Sequence, residues 1–77
     1  MRGAPDRVVE RLSQDSIVTA LSSLPDDFRD VVVLVDIGDF SYADAAQILD
    51  IPIGTVMSRL HRGRRALKQK LAEEALT

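Results

Sequence analysis

Advancing each residue between positions 53 and 71 by the helical repeat of about 100° places Val56, Leu60, Leu67 and Leu71 on one side. Thr55, Ser58, Arg59, Arg62 and Arg65 gather opposite them at spacings of three and four. Ile53 and Met57 fall at the margin of the apolar side, and an inward Met57 is expected. The pattern predicts a long amphipathic helix over about 53–75 whose apolar stripe faces a core. Three shorter stripes precede it. Ile17, Ala20, Leu21 and Leu24 predict a helix over about 13–23 with Ser13 as its cap. Phe28, Val31, Val32 and Val35 predict a second over 25–37, opened by Pro25 and stopped at Gly38. Ala45, Ile48 and Leu49 predict a third over 41–49 with all three inward. The β-branched run Val31–Val35 has strand propensity. Its bracketing by Pro25 and Gly38 and its helical spacing favour a helix. Val33, Leu34 and Ile37 fall partly outside that helix's stripe. At least half of them are expected in the core, and those outside it form a candidate surface for a protein partner.

The boundaries of the last two helices define a motif. Ser41 is a good N-cap, and Asp44 three residues later adds a carboxylate to the first turn. Ala45 and Ala46 leave room for two helices to cross closely. Asp50 is one of the few non-glycine residues that tolerate the left-handed conformation of a tight turn, and Pro52 suits the start of the next helix. Helix, sharp turn and helix over about 41–65 is the layout of a helix-turn-helix DNA reader, whose second helix enters the major groove. The expected fold is thus all-α: a small four-helix domain over 13–77, preceded by a linker or tail over 1–12.

Charge sharpens this picture. The chain of 77 residues carries a formal net charge of −2, which hides two halves of opposite sign. Residues 1–50 hold four Arg against ten acids, whereas residues 51–77 hold six Lys or Arg against Glu73 and Glu74. From Arg59 to Lys70 there is no acid, so the last helix cannot neutralise its own face through i,i+4 pairs. Such a face attracts phosphates. Arg can grip phosphate or the guanine edge bidentately, and Ser or Thr can bond either. Thr55, Ser58 and Arg59 near the helix start are expected closest to base edges, and Arg62 and Arg65 along the phosphate backbone. His61 is expected to be solvated or to touch phosphate, and the Tyr42 hydroxyl either reaches a phosphate or its ring packs on neighbours.

Other chemistries find little support. Asp26, Asp27 and Asp30 invite a metal or acid–base reading, but carboxylates in a first helical turn are favoured by the helix dipole alone. One histidine and no cysteine leave no metal cluster, so no cofactor is expected. No phosphate-cradling glycine loop, nucleophile elbow or catalytic pair is present, and an enzyme is not expected. No apolar run approaches 18 residues and no signal peptide is visible, so no membrane partner and a cytoplasmic location are expected.

The run from Leu24 to Leu67, LPDDFRDVVVLVDIGDFSYADAAQILDIPIGTVMSRLHRGRRAL, resembles region 4 of bacterial sigma factors of the extracytoplasmic-function group. Leu24-Pro25, Ser41-Tyr42, Ala46, Leu49, Ile51-Pro52 and the PxGTVxSRLxR segment carry the resemblance. It implies recognition of the promoter −35 element as double-stranded DNA within RNA polymerase holoenzyme. It also implies contact with the flap of the polymerase β subunit and masking by an anti-sigma factor. Met57 departs from the basic residue common in the family, Asp50 from the usual turn glycine, and Gly63 from a helix former such as Ala. Gly63 costs roughly 1 kcal/mol of helix propensity, either for close packing or as a tolerated loss. Two other readings of the chain are the output domain of a response-regulator-type transcription factor and a helical protein-interaction module.

Overall fold

The structure, a computed structural model, describes residues 16–76. Four helices make up the described chain, which contains no strand. They are α1 (16–23), α2 (Asp26–Val32), α3 (Tyr42–Leu49) and α4 (Ile53–Leu76), with a π-helical turn, Val33–Ile37, continuing α2. The expected cap at Ser13 and the tail over 1–12 lie outside the described residues.

Pro25 separates the first two helices and precedes the first helical residue of α2. Its carbonyl accepts from the N–H groups of Phe28 and Arg29, at 3.1 and 2.9 Å. The π turn was not foreseen. Gly38 N–H donates to Val33 O at 2.8 Å, a bond spanning five residues, and Phe40 N–H returns to Leu34 O at 3.0 Å. A widened turn advances each residue by less than the α-helical angle, so its last residues point elsewhere than a regular helix would send them. Gly38 ends this turn with φ −86, and the left-handed residue is Asp39 at φ 59. Glycine at 38 fits a close approach instead: a Cβ there would lie 3.0 Å from Leu34 O and 3.1 Å from the Phe40 ring, so its neighbours would have to give by a few tenths of an ångström.

Between α3 and α4 the turn chemistry is as read. Ser41 Oγ accepts from Asp44 N–H at 3.0 Å, capping α3. Asp50 is left-handed (φ 57, ψ 50). Its N–H donates to Gln47 O, and the next N–H, of Ile51, donates to Ala46 O at 3.0 Å. This paired closure satisfies the last carbonyls of α3 and fixes the exit direction of the chain. Pro52 stands just before α4 and accepts from Thr55 and Val56 N–H.

All four helices meet in one core of Leu21, Leu24, Val31, Val32, Ala45, Val56 and Leu60. Ile17, Leu34, Val35, Ala46, Leu49, Ile51, Ala66 and Leu67 pack half-buried around it. The tightest crossing is at Gly63, which is buried. A Cβ at this position would fall 2.8 Å from Val32 Cγ2 and 3.1 Å from Phe28 O. The missing methyl therefore lets α4 lie directly on α2, and the propensity loss serves packing.

Three sequence expectations fail. Ile48 is 53% exposed rather than inward, because Ala45 and Leu49 already fill the contact with α4. Met57 is 52% exposed: it stands about 100° round the helix from Val56 and about 60° from Leu60, beyond the edge of the buried side. Of Val33, Leu34 and Ile37, only Leu34 packs against the core; Val33 and Ile37 stay outward, on the side of the helix away from Val31 and Val32.

Candidate nucleic-acid interface

The α3–turn–α4 unit presents the start of α4 to solvent with a defined orientation. Val56 and Leu60 anchor its inner side at 0 and 2% exposure, and Gly63 seats the next turn on α2. The side chains rotated away from this line are Ser58, His61, Arg62 and Arg65, all exposed. Thr55 is half-buried beside them. Arg62 and Arg65 have no carboxylate within ion-pair distance among the described residues. They stand one helical turn apart and form a cationic ridge, with Ser58 and His61 supplying hydrogen-bonding groups towards the N-terminal end.

Two arginines are engaged by acids from α2 and its π extension, which the absence of acids within residues 59–70 did not reveal. Arg59 lies on the flank of α4 next to α2, with Nη1 3.7 Å from Asp27 Oδ1. Three residues past Val56, it occupies the edge between the inner and outer sides rather than the centre of the outer one. Arg64 reaches the other flank and binds Asp36 through two hydrogen bonds, from Nε at 2.9 Å and Nη2 at 2.5 Å. These bonds push the guanidinium pKa further up, outweighing slight desolvation, and Tyr42 adds a smaller push in the same direction. Arg64 is thus paired with the π turn. Eight residues after Val56, it stands about 80° round the helix from that residue and about 40° from Leu60, and that spacing was the available signal. Tyr42 is 37% exposed on this same flank. The outward Met57 adds an apolar side chain to the surface between this flank and Ser58.

The carboxylates of α2 form no metal site: among the described residues no group of acids or His could hold an ion. Asp26 and Asp30 both pair with Arg29, at 3.1 and 3.6 Å. Arg29 and Asp30 instead help to line a groove of about 310 Å³ between α2 and α3. Val33 and Leu34 lie in this groove with Ile48 and Leu49, so the outward Ile48 acquires a neighbourhood. Ile37 lies outside it, 57% exposed. None of the described helices is long and apolar enough to cross a membrane.

Comparison with known proteins agrees with this arrangement. The family described as "Sigma-70, region 4" matches residues 14–67, a stretch that contains the core, the turn and the outer face of α4. The ECF RNA polymerase sigma factor SigW of Bacillus subtilis is 41% identical over 68 residues, 88% of this chain and 36% of the relative. SigE of Mycolicibacterium smegmatis is 46% identical over 65 residues, covering 84% of the chain and 25% of the relative. The Escherichia coli ECF sigma-E factor is 38% identical over 55 residues, 71% and 29% respectively. The chain therefore spans between a quarter and little more than a third of these relatives' lengths. With the helix-turn-helix geometry and the family match on the same residues, the chain belongs to the sigma-70 region 4 family.

Proposed function

We propose that this chain is the −35-reading domain of an ECF sigma factor, directing RNA polymerase to promoters in the cytoplasm without performing catalysis itself. The observation that carries the reading is the outer face of α4. Ser58, His61, Arg62 and Arg65 are exposed together, opposite Val56, Leu60 and Gly63, and the two arginines have no carboxylate partner among the described residues. With α4 in the major groove, Ser58 and Thr55 lie at its leading end towards base edges. Arg62 and Arg65 neutralise phosphates along the groove wall and set the register. Arg59, half-buried at the α2 flank, reaches a base edge or phosphate from the side, and Tyr42 offers a hydroxyl at the other flank.

Arg62→Ala is expected to weaken binding to a −35 duplex by about 1–3 kcal/mol, the range for a charged hydrogen bond. The slope of log K against log salt should also become shallower by about one ion. Fluorescence anisotropy titrations at several salt concentrations measure both. Wild-type binding that ignores salt would exclude phosphate recognition and leave the protein-interaction reading of the chain.

The groove between α2 and α3 is the surface proposed for a protein partner, the β flap of polymerase core or an anti-sigma factor, with Val33, Leu34 and the neighbouring Ile37 as contacts. Its apolar lining is supported by Ile48, which is exposed without structural need. Ile48→Gln should weaken capture by core polymerase by about tenfold, the loss of one buried aliphatic side chain. DNA affinity of the isolated chain should not change. Unaltered capture in a pull-down titration would remove the groove from the polymerase interface.

A further inference from the structure

We propose that Asp27 is a positioning residue for Arg59 and that the pair sharpens discrimination between DNA sequences; this rests on the DNA-reading role proposed above. Three states of arginine occur side by side on α4. Arg62 and Arg65 are unpartnered among the described residues, Arg64 makes two hydrogen bonds to Asp36, and Arg59 is held at one point only. The separation of 3.7 Å between Arg59 Nη1 and Asp27 Oδ1 is an ion pair beyond hydrogen-bond length. Such a contact biases the side chain towards the α2 flank and occupies none of its hydrogen-bond donors. The Asp27 side chain is 70% exposed, so the pair lies at the surface, on the flank of the helix proposed to read DNA.

Two consequences follow from this geometry. An arginine oriented before binding loses less rotamer freedom when it meets a base edge bidentately, which favours the correct sequence. A carboxylate beside it repels phosphate, which disfavours loose backbone contacts made at any sequence. Asp27 thus acts on both terms of the specificity ratio through Arg59, without touching a base itself.

The test uses the 77-residue chain, a duplex selected by the wild-type chain from a randomised pool, and a scrambled duplex of equal composition, titrated by anisotropy. Asp27→Asn should bind the scrambled duplex about threefold more tightly and lose about tenfold in the selected-to-scrambled ratio, with the same melting temperature. Asp27→Glu, which keeps the carboxylate, should retain most of the ratio. In an Arg59→Ala background, Asp27→Asn should leave the ratio unchanged. A wild-type ratio in Asp27→Asn, or a ratio lost equally with and without Arg59, overturns the proposal while leaving the DNA-reading role intact. A wild-type chain that selects no sequence overturns both.

Discussion

Val56→Asp is expected to leave the domain unfolded at room temperature, with no cooperative transition in a circular-dichroism melt. Val56 is completely buried in the first turns of α4, between the residues contributed by α1, α2 and α3. No buried polar or charged side chain occurs in the described core, so a carboxylate there would find no partner. An unpaired buried charge costs several kcal/mol or forces the chain open to water. A domain of this size has a total stability of about 4–12 kcal/mol, and its core is small. Val56→Ala supplies the control: it removes two methyl groups, costs about 2 kcal/mol and leaves a folded protein with a lowered melting temperature. A Val56→Asp variant that melts like the wild type would mean that the inner and outer sides of α4 have been exchanged, and the cationic ridge with them.

That assignment was legible in the sequence because it depends on periodicity. Val56, Leu60 and Leu67 recur at helical spacing, and Ser41 and Asp50 are residue types whose local chemistry dictates a cap and a left-handed turn. The helix order and the helix-turn-helix followed from these local signals. What depended on neighbours distant along the chain did not. Arg59 and Arg64 looked unpaired because their acids, Asp27 and Asp36, lie 32 and 28 residues earlier, and charge counting within one helix cannot see them. The π turn was hidden for a related reason. Its bonds are local, but the valine run satisfies a regular helix on paper, and nothing in the spacing of Val31 to Val35 marks the wider turn. Ile48 illustrates the limit of an apolar stripe: when two of its members fill the contact, the third stays outside.

Gly63→Leu should lower the melting temperature by about 10 °C. Leucine is a far better helix former than glycine, so propensity alone predicts a gain of nearly 1 kcal/mol. Packing decides against it. Even a single Cβ would come within 2.8 Å of Val32 Cγ2, a buried β-branched side chain with little rotamer freedom, and 3.1 Å from the carbonyl of Phe28, which belongs to the α2 backbone. Three further carbons can be accommodated only by moving α4 off α2. Overpacking of this kind costs about 3 kcal/mol. The net loss of about 2 kcal/mol corresponds to the stated shift for a domain of this length. A raised melting temperature would show that the two helices can separate without loss and that the close approach is incidental.

The clasp between Arg64 and Asp36 has a mechanical meaning. It ties α4 to the π turn carrying Val33 and Ile37, while the bare backbone at Gly63 lets α4 lie against Phe28 and Val32 of the preceding α2. α4 is thus attached at two successive places along one continuous helical segment, which sets the spacing between its outer face and the groove beside Val33.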